Sequence, residues 1–109
     1  MKDIQKNSIV ILIGSNTFQQ HYIKKIESIY ENIEREIFYG DELDSESYFN
    51  FIFSNSFFTD IKIAILKDTD NYNNVQTLID SAKKASNCIK IFAFNNTPNK
   101  LLKSLNNLP

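Results

Sequence analysis

The chain alternates short, continuously apolar runs with longer segments whose apolar residues recur every three or four positions. The first run, IVILI at residues 9–13, is mostly β-branched, as expected of a strand that is buried on both faces, and Gly14 ends it. Further runs predict strands at residues 36–39, 61–66 and 88–94. The pattern therefore predicts four strands separated by helical segments.

The segments between these runs have the spacing of amphipathic helices. Ser15, Asn16 and Thr17 can each cap the first helix, and Asp44 or Ser45 can cap the second. The predicted apolar face of the first helix consists of Phe18, Tyr22, Ile26, Ile29 and Ile33. The corresponding positions in the second and third helices are Tyr48, Phe49, Ile52, Phe53, Val75, Leu78, Ile79 and Ala82.

Four strand-then-helix units predict an α/β fold of three layers, a mostly parallel sheet with helices on both faces. Thr97 followed by Pro98 predicts the start of a last helix, with Leu101, Leu102 and Leu105 on its apolar face. A doubly wound sheet would continue with another strand. We therefore expect residues 1–109 to be a single α/β domain that is the N-terminal fragment of a longer protein.

Composition limits the classes of partner. A content of 42% hydrophobic and 23% charged residues is typical of a folded globular domain. The net charge of −1 supplies no broad positive field for nucleic acid or anionic lipid, so neither is expected as a direct partner. Cys88 is the one cysteine, and no apolar run is long enough for a signal peptide or a membrane span, which predicts a cytoplasmic protein.

The turn after the first strand is a candidate nucleotide site, because ligands of parallel sheets bind beyond the carboxyl ends of strands. Gly14 could begin the phosphate-binding pattern G-x-x-x-x-G-K-[ST]. Gln19, Gln20 and His21 stand where that pattern needs glycine, lysine and serine or threonine. We therefore expect no functional P-loop here.

Polar residues also follow the third and fourth predicted strands. Asp68 and Asp70 could hold Mg²⁺ as a Walker B carboxylate does, but without a P-loop we interpret them as solvated carboxylates that cap the next helix. Asn95 is interpreted as a turn residue before Pro98. His21 and Cys88 have no partners at ligand spacing, so neither a metal site nor a catalytic residue is predicted.

Phe57 and Phe58 are adjacent aromatic residues in a short connecting segment. Both could close over the sheet, since large apolar side chains are usually buried. Adjacent side chains point in different directions, however, so burying both is harder than burying one. An exposed phenylalanine here, beside Phe51 and Phe53, would be an anchor for a partner protein.

The order of these features resembles the N-terminal domain of the delta subunit of bacterial DNA polymerase III, the clamp-loader subunit that grips and opens the sliding clamp. The similarity covers nearly the whole chain, in the segments IVILIGSNTFQQHYIKKI, FYGDELD, NSFFTDIKIAILKD and CIKIFAFNNTPNKLLKSL. The resemblance implies a P-loop NTPase fold of the AAA+ type without a functional Walker A motif. Gly14, Asp68 and Asn95 would be relics of its nucleotide site.

The same resemblance implies a clamp-binding element at Ser56, Phe57 and Phe58, with Phe57 where the family usually has leucine. The implied partners are the sliding clamp (beta subunit), other loader subunits through domains that this chain lacks, and DNA only indirectly through the loader. No cofactor and no intrinsic activity are implied. One alternative is a small α/β domain that binds a nucleotide or other small ligand through Asp68 and Asn95, and another is a purely structural domain.

Overall fold

Residues 8–54, 59 and 61–96 are described by the computed structural model. They form four strands, β1 (Ile9–Ile13), β2 (Ile33–Tyr39), β3 (Ile61–Lys67) and β4 (Cys88–Phe94). Three helices alternate with them, α1 (Asn16–Glu27), α2 (Ser45–Phe53) and α3 (Val75–Ala82). The predicted last helix and Ser56, Phe57 and Phe58 lie outside the described residues.

The strands form one all-parallel sheet in the order β1-β4-β3-β2. The helices are layered as in Rossmann and flavodoxin folds, and this order places β1 and β2 at opposite edges of the described sheet. The predicted α/β class with helices on both faces is confirmed. Among the described helices, none has the length and hydrophobicity that crossing a bilayer requires.

Each face of the sheet has its own core, because successive side chains of a strand point to opposite faces. One core packs α1 against the sheet, and the other packs α2 and α3. The first contains Leu12, Ile23, Ile26, Ile61, Ile63, Ile65, Ile89, Ile91 and Ala93. The second contains Tyr48, Ile52, Ala64, Leu66, Leu78, Ile79, Ala82, Ala85, Cys88, Phe92 and Phe94. β3 and β4 are therefore covered on both faces, as their apolar runs predict.

The prediction for the first helix is wrong at its end and in its buried face. Helix α1 ends at Glu27, and Ile33 begins β2, where it pairs with Ile61 of β3. The buried residues of α1 are Gln19, Ile23 and Ile26, whereas Phe18 and Ile29 are exposed. The isoleucine spacing continues past residue 27, but pairing with β3 draws residues 33–39 into the sheet.

Gly40 allows the turn after β2 to approach the turn after β3. A Cβ atom on Gly40 would lie 2.1 Å from the carbonyl oxygen of Asp68, so a larger residue would require one of the two backbones to move. Gly40 begins the 3₁₀ turn Gly40–Glu42, and Asp68 directly precedes the 3₁₀ turn Thr69–Asn71. The close approach fixes the carboxyl ends of β2 and β3 relative to each other.

Candidate functional site

The turn after β1 lies at the carboxyl edge of the sheet, where the sequence places a lost nucleotide site. Gly14 has a φ of +152°, which a residue with a side chain rarely adopts, and an added Cβ would lie 2.9 Å from the Phe18 ring. Helix α1 begins at Asn16, and Ser15 caps it by accepting a hydrogen bond from Phe18 N–H at 3.2 Å. Residues 16–19, which a P-loop would wrap around a phosphate, therefore belong to the first helical turn.

Gln19 joins the ends of β1 and β4. Its side chain is buried, and Nε2 donates to the carbonyl oxygens of Gly14 at 2.9 Å and Phe94 at 3.2 Å. The same nitrogen lies 3.3 Å from Oδ1 of Asn95. Gln19 thus hydrogen-bonds across the position between two strand ends where a P-loop ATPase would admit a phosphate.

Asn95 carries the hydrogen bonds on to the end of β3. Its Nδ2 donates to Oδ1 of Asp68 at 2.9 Å, and its backbone N–H donates to Oδ1 of Asp70 at 3.0 Å. Asn96 N–H donates to the other oxygen of Asp70 at 2.9 Å. The two carboxylates do not cap a helix through their side chains: Asp68 stands at the N-cap position of the 3₁₀ turn Thr69–Asn71 without a side-chain capping bond, and α3 is capped at Asn74. They bind the turn after β4 instead.

The structure thus brings Gly14, Asp68 and Asn95 together with Gln19 and Asp70, and we call these five residues the carboxyl-edge network. The sequence identified the first three because each follows a predicted strand. The role of Gln19 depends on β4 lying beside β1, which the sequence pattern does not show. An incoming phosphate would have to displace these internal hydrogen bonds. The arrangement is suited to tying three strand ends together.

Two other candidates for chemistry show no reactive setting. His21 is exposed on α1. Cys88 is completely buried, and burial raises the pKa of its thiol to about 11, so the thiol stays protonated near neutral pH. The prediction that Cys88 is a small buried hydrophobic residue is confirmed. Within residues 8–54, 59 and 61–96, no group of three or more histidine, cysteine, aspartate or glutamate side chains could hold a metal ion.

The opposite edge of the sheet, where the strands begin, carries a second candidate region at the end of α2. Phe53, the last residue of α2, is 49% exposed, and its ring lies 6.2 Å from that of half-buried Phe49. Ser54 follows as the helix cap and is the last described residue before residues 55–58. An exposed aromatic side chain therefore stands directly before the segment that contains Phe57 and Phe58.

Lys62 of β3 holds this end of α2. The side chain is only 2% exposed, and Nζ donates to the carbonyl oxygens of Phe51 and Ser54 and to Oγ of Ser54 at 2.8 Å. Nζ also lies 5.2 Å from the centroid of the Phe51 ring, within the range of a cation–π contact. No sequence motif singled out this residue. A lysine inside an apolar run that is buried on both faces is the signal that could have found it.

Scans against protein-family models, curated proteins and solved structures find no match.

Proposed function

We propose that this chain is a clamp-binding domain similar to the N-terminal domain of bacterial clamp-loader delta subunits. In this proposal Ser56, Phe57 and Phe58 bind the sliding clamp and help to open it for loading onto DNA. The domain has a fold of the AAA+ type that no longer binds nucleotide, and it catalyses no reaction of its own. Other loader subunits would supply ATP hydrolysis.

The observation that carries the proposal is the anchored aromatic end of α2. Phe53 is exposed immediately before the segment, and the buried ammonium group of Lys62 fixes the following residue, Ser54, against β3. An anchor residue costs less entropy to bind when the backbone that carries it is already held. This arrangement suits a segment that inserts aromatic side chains into a pocket of a partner.

The carboxyl edge supports the finer assignment of the fold. The order β1-β4-β3-β2 brings the turn after β1 and the turn after β3 to either side of β4. The resemblance assigns the lost P-loop to the first turn and the lost Walker B carboxylate to the second. Helix α1 starts too soon after Gly14 to leave a phosphate-wrapping loop, and Gln19 and Asn95 use the local carbonyl and carboxylate groups as hydrogen-bond partners.

In this proposal, clamp opening depends on a difference in affinity between the open and closed clamp. A domain that binds one clamp subunit beside its interface opens that interface only to the extent that it binds the open state more tightly than the closed state. Aromatic anchors supply binding energy, since truncating a central anchor typically costs about 2 to 4 kcal/mol, and only the part of it that differs between the two states opens the interface. Phe57 and Phe58 are the residues expected to carry that energy.

The test is the binding of this protein to the sliding clamp of the same organism by surface plasmon resonance. We expect the Phe57→Ala/Phe58→Ala double variant to bind at least about thirtyfold more weakly than the parent. Phe18→Ala is the matched control, because Phe18 is an exposed phenylalanine on α1, which packs on the face of the sheet opposite α2. Equal binding by the parent and the folded double variant would refute the role of the two phenylalanines.

Thermal unfolding with ATP and Mg²⁺ separates this proposal from a small-ligand domain. We expect no shift of the midpoint, because the carboxyl-edge network makes its hydrogen bonds within the chain. A ligand at one hundred times its Kd would instead stabilise the fold by about 2.7 kcal/mol. Such a stabilisation would favour a nucleotide-binding domain over a clamp-binding one.

A further inference from the structure

Strand β2 lies at the edge of the described sheet, and two large apolar side chains near its carboxyl end are exposed. Among the described strands, β2 pairs only with β3. Ile37 is 37% exposed, and Tyr39 is 41% exposed. The N–H and C=O groups on the outer side of an edge strand can pair with a strand of another chain. Open backbone beside exposed apolar side chains therefore makes residues 37–39 a candidate docking edge.

A groove of about 230 Å³ lies beside this edge, on the face of the sheet that α1 covers. Its apolar lining consists of Ile23 of α1, Ile37 of β2 and Ile65 of β3. Ile33 and Ile37 lie on the same face of β2, because side chains alternate along a strand. Ile33 packs against the core beneath α1, whereas Ile37 stays exposed. The carboxyl end of β2 is therefore less covered than its start.

The polar lining of the same groove carries excess positive charge. Arg35 of β2 and Glu27 of α1 form an ion pair of 2.8 Å, so their charges offset each other. Lys24 and Lys67 also line the groove, and neither forms an ion pair within the described part of the chain. Two ammonium groups beside an apolar lining favour carboxylates on aliphatic stems, because the stem can cover the isoleucines while the charge reaches a lysine.

The other face of the same edge has different chemistry. A groove of about 270 Å³ there is lined by Phe38 and Leu43, together with the acidic residues Glu42 and Asp44. These carboxylates would repel acidic side chains, whereas the ring of Phe38 and the side chain of Leu43 suit apolar ones. A strand added to β2 would therefore place acidic side chains on one face and apolar side chains on the other, which is the alternation that strand geometry provides.

We propose that the carboxyl end of β2 binds an extended acidic segment of a partner protein by strand addition. Carboxylates of the segment lie at Lys24 and Lys67, and its apolar side chains lie over Phe38 and Leu43. Main-chain hydrogen bonds to the outer side of β2 hold the segment, and the two grooves select alternate side chains. The proposal goes beyond clamp binding and does not depend on it.

The probe is a fluorescein-labelled peptide of about eight residues that alternates glutamate with valine, the length of an ordinary strand. Binding is measured by fluorescence anisotropy at about 0.15 M salt, where exposed charges more than about 8 Å apart are largely screened. We expect this peptide to bind at least roughly tenfold more tightly than one that alternates lysine with valine. No binding, or equal binding of the two peptides, would overturn the proposal.

Two pairs of variants test the groove on the α1 face. Lys24 and Lys25 are both exposed in the last turn of α1, but only Lys24 lines the groove. We expect Lys24→Glu to weaken binding about five- to tenfold and Lys25→Glu to stay within about twofold of the parent. Ile37→Thr should weaken it roughly threefold, whereas Ile29→Thr, at a 46% exposed isoleucine outside the groove, should not. Equal losses within either pair would contradict this site.

Strand addition has its own readout. On peptide binding, amide hydrogen exchange followed by NMR should slow at alternate β2 residues, those whose N–H groups point away from β3. Binding without that protection would refute strand addition. Sedimentation of the protein without peptide identifies a competing occupant. A dimer that Ile37→Thr abolishes would assign this edge to a second copy of the chain and overturn the proposal, whereas a monomer supports it.

Discussion

Removing the hydroxyl group of Tyr48 is expected to stabilise this protein. Tyr48 of α2 is completely buried, and among the described residues its Oη has no hydrogen-bond partner. Its ring packs edge-on against Phe38, with centroids 5.1 Å apart, and beside Phe92 at 6.3 Å. Burial, with a smaller contribution from Cys88, raises the pKa of Tyr48 well above its usual range. The hydroxyl is therefore a neutral, desolvated polar group in an aromatic core.

The size of the effect follows from two opposing terms. Leaving a buried polar group without a partner costs about 1 to 3 kcal/mol relative to water. Tyr48→Phe removes that cost and keeps the ring contacts, but it leaves a small void where the oxygen was, and such voids cost roughly 1 kcal/mol or less. We expect a net stabilisation of about 1 kcal/mol, which corresponds to a rise in Tm of roughly 5 °C for a domain of this size.

Equilibrium unfolding in urea is the appropriate assay. Tyr48→Phe should raise the midpoint concentration by about 0.5 to 1 M with an unchanged slope, since the surface exposed on unfolding stays the same. Tyr39→Phe is the matched control. Its side chain is 41% exposed, so water can solvate the hydroxyl, and its free energy of unfolding should change by less than about 0.5 kcal/mol.

The reasoning would be refuted by a loss of stability in Tyr48→Phe of more than about 0.5 kcal/mol, the usual scale of a neutral surface substitution. Such a loss would mean that the hydroxyl makes a hydrogen bond whose removal costs more than its burial. A fall in the slope of the urea transition would point elsewhere, to a change in the compactness of the native or unfolded state.

Two more predictions concern Gly40 and Cys88. Gly40→Ala should destabilise the fold by about 3 kcal/mol, because its methyl group would lie 2.1 Å from the Asp68 carbonyl oxygen. Thermal unfolding measures this, and a change below about 0.5 kcal/mol would contradict the close contact. Burial raises the pKa of Cys88 from 9.0 to about 11, so above pH 9 the unfolded thiol loses a proton that the folded one keeps. The free energy of unfolding should therefore fall between pH 9 and 11 by up to about 3 kcal/mol more in the parent than in Cys88→Ala. The same pH dependence in both proteins, measured by urea unfolding, would disprove this.

Local pattern was sufficient for the strands that lie inside the sheet. β3 and β4 are buried on both faces, so nearly every position is apolar and the run itself identifies the strand. The pattern was insufficient for residues 28–35. There the isoleucine spacing fits a helix as well as an edge strand, and the pairing of Ile33 with Ile61 decided the outcome.

The candidate sites divide in the same way. The sequence by itself determined the α/β class and the positions of Gly14, Asp68 and Asn95 beyond strand ends. Apolar runs and the turn residues that end them are local features of the chain. Only the tertiary structure decided that Gln19 reaches Asn95 and that Lys62 holds the end of α2. Those contacts depend on which strands and helices lie side by side, and long crossover connections set that adjacency without leaving a periodic signal in the chain.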